Sequence, residues 1–560
     1  MMGNYPSHGP FLPDYNLDFN DQTDNKRNFM KKIIFYLLLL CMATCSWNCK
    51  KSLLNLTSQS AYSYDTYFNN SNALNQATIA TYSVLLQQGL WSREYYFLFD
   101  LLGMEAKKTT NMQGDLAQLG NYSFGSNQTE IGYLWGSLYR MIFRANVVID
   151  RVNAWNPTDP ADQANVKQYV AEVKFLRDYA YFNIVNLWGN APLITSYDSV
   201  VNNNYIPRSP AASIWTFIES DLASAIPNLP VVYDAADLGR ATQGAAIALL
   251  GKTYLYEKKW SNAQTEFSLL TQAPFTYTLS PVYDSLFSPT NQNSPEDIFQ
   301  VMNEAWTSWS IGNQYSMFGG QETWGGLATQ SDRAQEYGFN DWWNVYITTS
   351  AVNAFHYPSP ADGVTPYVDP RAYSTFYGTK ASGGDTVYCE QCATGKISYS
   401  FNASDPQGDY SWRKYEYYNL VPSYGGPQSG INGQVIRYAD VLLMLAESYI
   451  QQGNVGSQPL GLINQVRARA GAIPYPSLGG SQTSAMNILM LERQLELCGE
   501  QTRYFDLIRW GLAQQVINAE ESTEPGLNGI QPFQTKNLLL PIPDIEKDYN
   551  PNCVVNDGWN

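Results

Sequence analysis

Histidine is nearly missing from this chain. Its 560 residues hold only His8 and His356, so a His-rich metal site lacks ligands and a Ser-His-Asp arrangement has at most one base to draw on. Cysteine is also scarce, with seven, which excludes a small disulfide-dense scaffold. Lysine and arginine total 34 against 50 acids, a net charge of −16, whereas a nucleic-acid binder needs a basic footprint. Charged residues together make up 15%, below the usual level of about a quarter. Beyond the N-terminal region, no apolar run reaches the roughly 18 to 20 residues that a membrane-spanning helix requires.

Aromatic residues are abundant instead, with 41 Tyr and 15 Trp. Much of this must form a large core. The remainder, set among Asn, Ser and Gly, suits an extracytoplasmic protein that contacts polar, ring-shaped ligands.

Residues 1–29 are polar and carry no periodic pattern; they read as an extension upstream of a start at Met30. From there Lys31 and Lys32 precede an apolar run, Ile33 to Ala43, of signal-peptide length. A membrane anchor is the other reading. Cys41, Cys45 and Cys49 cluster where a lipoprotein leader would be cut, and Cys45 follows the small residues Ala43-Thr44.

Helical periodicity then recurs. It is found at 71–88, 135–152, 166–187, 209–229 and 484–510, with a polar Gly/Asn/Gln loop at 109–129. In 239–270, Gly251, Tyr254, Ala263 and Phe267 occupy the small-aromatic-small-aromatic positions of a tetratricopeptide helical hairpin. The most definite pattern is Val435–Gly453. Ala439, Leu442, Leu443, Ala446, Tyr449 and Ile450 form one helical face, and Arg437, Asp440, Met444 and Glu447 a second stripe able to pair at i,i+3. Ala446 and Tyr449 repeat the first half of the hairpin signature, with a second helix expected near 462–470. Between 285 and 428 the helical signal fades into a Gly-, Ser-, Trp- and Tyr-rich region, and irregular insertions of this length are usually functional. The reading is an all-α fold of tetratricopeptide-like hairpins with long irregular loops and minor β structure.

Several ordered motifs are specific when taken together. They run from Trp135-x-x-Leu138-Tyr139 and Arg144-Ala145-Asn146 through Glu172–Arg177, Trp188-Gly189-Asn190-Ala191-Pro192 and Asp369-Pro370-Arg371. Ile436-Arg437-Tyr438-Ala439-Asp440, Arg503-Tyr504-Phe505-Asp506-Leu507, Arg509-Trp510-Gly511 and Asp557-Gly558-Trp559 follow. In this order the chain resembles the SusD/RagB family of outer-membrane lipoproteins. One departure is local: the family pattern has Glu-Gly where this chain has Glu500-Gln501, with a glycine earlier at Gly499.

The resemblance implies a lipid-anchored, surface-exposed outer-membrane protein that binds glycan, or less often peptide, and delivers it to a SusC-like TonB-dependent transporter. It implies a signal peptide at 30–48 with Cys49 as the lipidated residue, Cys45 being the alternative. A SusD-like N-terminal part would then cover 49–280, and a C-terminal part 281–560 would carry the 285–428 insertion. No catalytic residue, cofactor, metal or nucleic acid is expected. A helical-repeat envelope scaffold is the competing class. A glycosidase would need two carboxylates facing each other across a bond, and no pattern singles out such a pair.

Trp306, Trp309, Trp324, Trp342 and Trp343, with Asn313 and Tyr315, are the candidate ligand contacts, because aromatic faces stack on sugar rings while amides bond hydroxyls. For any single Trp, core packing or transporter contact competes. Asn111, Gln113 and Asp115 are candidates from the early loop, which faces ligand in proteins of this kind. Cys389 and Cys392 lack the context of a redox or zinc motif and read as a local disulfide. Arg437, Asp440, Glu447, Arg503 and Asp506 read as scaffold ion pairs, since buried charges must be paired.

Overall fold

The computed structural model describes residues 29–35, 67–109, 112, 114–155, 157–203, 205–288, 291–303, 322–324, 327–329, 333–337, 344–377, 386–387, 397–398, 410–415, 431–523 and 531–559. They fall into two contact units. Within residues 1–67 the main described element is an exposed helix at 29–35. All that follows concerns the second unit, which begins at Phe68.

The principal helices are α1 (Ser71–Tyr82), α2 (Glu94–Leu102), α3 (Thr129–Ala154), α4 (Pro160–Trp188), α5 (Ala211–Ala225), α6 (Gln243–Tyr256) and α7 (Trp260–Leu269). After the irregular middle come α8 (Tyr438–Gln451), α9 (Ser457–Arg469), α10 (Gln482–Leu497), α11 (Arg503–Trp510) and α12 (Ala513–Thr523). Starts follow local chemistry. Asn70 caps α1 by accepting from the Ala73 amide at 2.9 Å, and Asp159 caps α4, which opens on Pro160 where a missing N–H costs nothing. Sequential neighbours pack: α3 on α4, α4 on α5, α6 on α7, α7 on α8 and α8 on α9.

The hairpin signature is explained at one contact. A Cβ on Gly251 of α6 would stand 2.7 Å from the Phe267 ring of α7, so only glycine lets the aromatic fill the gap. Trp260 begins α7.

Three boundaries differ from the sequence reading. The loop expected at 109–129 contains a helix, Gly114–Gly120. The run 484–510 is two helices, broken between Leu497 and Arg503. The helix expected from Val435 begins at Tyr438, because 433–437 is a strand. Val435 and Ile436 are β-branched, and their strand is held by the distant residues 297–301, with Ile436 opposite Phe299.

Two short ladders matter below. β1 (Ala106–Lys108) pairs antiparallel with β3 (Val345–Ile347), and β2 (Asp297–Val301) with β4 (Gly433–Arg437), whose register is bulged on either side of Ile436. No helix among the described residues is long and apolar enough to cross a membrane.

Candidate functional site

The charges in the middle of the fold are engaged with one another. Arg437, at the junction of β4 and α8, donates Nη1 to Glu296 (2.8 Å) and Glu496 (2.6 Å), and Nε to Glu500 (2.7 Å). Arg371 bonds Asp369 (2.8 Å), Glu492 (2.7 Å) and Glu496 (2.9 Å), and Lys414 donates to Glu500 at 2.7 Å. Burial alone would raise the Glu496 carboxyl; Arg469, Arg437 and Arg371 outweigh it and hold the group at about 2.

The i,i+3 pairing expected along α8 is not what forms. Asp440 meets Arg493 of α10 at 2.7 Å, and Glu447 meets Arg509 of α11 at 2.8 Å. Asp506 accepts from Arg493 at 2.7 Å, and Arg503 pairs with Glu520 at 2.6 Å. Both stripes of α8 are buried, so its charges reach neighbouring helices rather than each other.

Around this scaffold the described ends of the irregular middle converge. Asn303 follows β2. Its amide donates to Asn432 Oδ1 at 2.8 Å and its side chain to the Ile431 carbonyl at 2.9 Å. Asn303 and Ile431-Asn432, distant in sequence, therefore lie side by side. On the β1–β3 ladder, the Thr109 amide donates to the Asn344 carbonyl at 2.9 Å. Asn344 in turn donates its amide to the Glu336 carbonyl at 2.8 Å and its side chain to the Glu336 carboxylate.

Glu336 belongs to a short helix, Arg333–Tyr337, fixed to α2 by crossed ion pairs. Arg333 meets Asp100 at 2.5 Å, and Arg93 meets Glu336 at 2.7 Å. The Arg333 guanidinium lies 4.1 Å from the Tyr415 ring centroid and 4.7 Å from that of Tyr337, cation–π distances. A narrow cavity lined by Trp91, Tyr96, Arg333, Tyr415, Asn432 and Gln501 joins these two sets of roots.

Gln501 stands at the position where the family pattern has glycine, and its φ is +58°. It is held there by donating to Asp100 (2.9 Å) and to the Gly499 carbonyl (2.9 Å). Gly499 supplies the preceding left-handed residue, at φ +74°. Its amide donates to Glu105 at 2.9 Å; burial, with Asp100 adding, lifts that carboxyl to about 8.

Of the candidate ligand residues, Asp115 is exposed in the first turn of the helix Gly114–Gly120, and Trp324 ends a short strand, Glu322–Trp324. Trp306, Trp309, Trp342, Trp343, Asn313, Tyr315, Asn111 and Gln113 lie outside the described residues, as do Cys389, Cys392, Cys45 and Cys49. Asn303, Asn432, Glu336 and Asn344 were missed from sequence. Each is a single polar residue without periodic context, and no local signal marks it.

A second cavity, about 460 Å³, opens beside α3 between Ile142, Phe143, Tyr197 and Val200. Its polar side chains serve the framework: Tyr139 donates to the Pro192 carbonyl (2.9 Å), Asn146 to Ile194 (2.8 Å) and Asn550 to Ile206 (2.9 Å). Among the described residues, no group of three or more His, Cys, Asp or Glu side chains could hold a metal.

The class is thus an all-α scaffold of helical hairpins whose central charges pair with one another. Two family models match the chain: "SusD family" over residues 295–559 and "Starch-binding associating with outer membrane" over 54–255. The chain belongs to the SusD/RagB family. A SusD-like protein of Formosa agariphila is 26% identical over 515 residues, covering 89% of this chain and 93% of its own. A solved SusD superfamily protein from Bacteroides vulgatus superposes with a TM-score of 0.71 at 25% identity, covering 88% of this chain and 100% of that one. A solved structure named as a laminarin-binding SusD-like protein gives 0.65 at 25% identity, over 88% and 100%.

Proposed function

We propose that this protein is a surface lipoprotein of the outer membrane that binds glycan and delivers it to a SusC-like TonB-dependent transporter, without catalysis of its own. The observation that carries the reading is the convergence of the described chain ends at Asn303, Ile431, Asn432, Thr109 and Asn344 around the buried Trp91, Tyr96, Arg333 and Tyr415. Relatives named for laminarin binding and for surface glycan binding support the ligand class, and the family description supports the membrane. Stacking on aromatic faces and hydrogen bonds from amides are the contacts such a ligand requires, and Trp306, Trp309, Trp324, Trp342 and Trp343 remain the residues proposed to supply the faces.

Isothermal titration of the mature protein against laminarin, α-glucans, xylan and mannan tests the reading. Binding to one class, with no new reducing ends on long incubation, is the expected result. A folded protein that binds none of them sinks it, and turnover of a polysaccharide replaces it with an enzyme. Cys49→Ala and Cys45→Ala, each followed for loss of lipid labelling, decide the anchor, and co-purification of a transporter from solubilised membranes tests the delivery step.

A further inference from the structure

Glu94 opens α2 next to Arg93 and is fully buried. Its Oε1 accepts from Gln88 at 3.0 Å and, more distantly, from Arg93 Nη1 at 3.4 Å. Its Oε2 has no hydrogen-bond partner. Arg93 turns its Nε to Glu336 at 2.7 Å. The charged groups facing Glu94 come from every element packed around it: Arg93 beside it, Glu130 in the first turn of α3, and Glu336 of the short helix Arg333–Tyr337. Glu130 accepts from Gln128, whose Oε1 is likewise buried without a partner. One guanidinium therefore stands between two carboxylates, closer to Glu336, with a third acid behind. A buried carboxylate oxygen without a donor favours the neutral acid.

We propose that Glu94 is a proton-operated release for the short helix Arg333–Tyr337. Protonated, it leaves Arg93 to Glu336 and the helix stays fixed to α2. On losing its proton to water it draws Arg93 toward itself and repels Glu336, and the helix loosens. Burial first, then Glu130 and Glu336, lift the Glu94 carboxyl from 4.5 to about 7 against the pull of Arg93 and Gln88, so the change falls near neutrality. The sign follows from linkage. A carboxyl raised in the closed state favours closure below its ordinary value, and that preference is lost as pH rises through about 7. The device needs no ligand; its effect on glycan affinity rests on the proposed function.

Hydrogen exchange of the intact mature protein between pH 5 and 8.5, corrected for intrinsic rates, tests it without ligand. The opening constant at 333–337 should rise roughly fivefold per pH unit between about pH 5 and 7 and level off above about 8. Residues 243–256 of α6 should show no such trend. Glu94→Gln should flatten the profile, and Glu130→Gln, by removing a like charge, should move its midpoint to lower pH. A flat wild-type profile overturns the proposal, as does a profile that Glu94→Gln leaves unchanged. Should Glu94→Gln not fold, a midpoint unmoved in Glu130→Gln also counts against it.

Discussion

Arg437 and Glu496 meet at 2.6 Å with neither side chain more than 2% exposed. The contact joins the end of β4 to α10 and shares its guanidinium with Glu296 and Glu500. Removing the arginine leaves three acids buried without it. Arg437→Ala should cost about 3–5 kcal/mol in denaturant unfolding, the range for breaking a buried pair. Arg437→Lys should recover only part, since one ammonium cannot reproduce the planar fork.

The same contact predicts the acid limb of stability. Glu496 is held at about 2, below its ordinary 4.5, so its contribution is complete above 4.5 and lost as pH falls toward 2. Melting temperature should drop steeply below about pH 4.5. Glu496→Gln should lower stability at pH 7 yet soften that slope; an unchanged slope would assign acid lability elsewhere.

Asp178 of α4 presents the opposite case. It is fully buried, and neither carboxylate oxygen has a hydrogen-bond partner. Burial, with Asp221 adding, raises its carboxyl well above the ordinary value of 3.8. Stability from this group is therefore present at low pH and lost as pH rises. Asp178→Asn should match the wild type near pH 4 and be the more stable of the two at pH 8, read by urea unfolding at both values.

Gln501 combines a left-handed backbone with useful hydrogen bonds to Asp100 and Gly499. Gln501→Ala keeps the strain of about 1–2 kcal/mol and loses the bonds, whereas Gln501→Gly loses the bonds but relieves the strain. Glycine should therefore be the milder change by roughly 1 kcal/mol. The reverse order would mean that the side chain, not the backbone, governs this turn.

Much of the helical scaffold was legible because one-sided burial writes a 3.6-residue period into long segments such as α3. Gly251 and Phe267 were legible as a hairpin contact because small and aromatic residues alternate across two adjacent helices. The start of α8 was not. Val435-Ile436-Arg437 is too short to show its own period, and its strand is decided by residues 297–301, far upstream. Nor was the destination of Arg437, since Asp440 lies three residues away while Glu496 is brought close only by the fold. The helix Gly114–Gly120 is too short to carry a pattern. The candidate site was readable as a region rich in tryptophan and unreadable as geometry, because Asn303, Asn432, Glu336 and Asn344 acquire their partners from tertiary structure alone.

Asn303 and Asn432 are 129 residues apart in sequence, yet they close on each other through a direct hydrogen bond. Closing a flexible chain costs entropy that grows only with the logarithm of its length, about 0.6 kcal/mol for each doubling. Once that seam is made, lengthening or shortening an intervening segment changes the free energy little, provided its roots still pair. A change of segment length between these two residues is therefore tolerated by the helices that hold them.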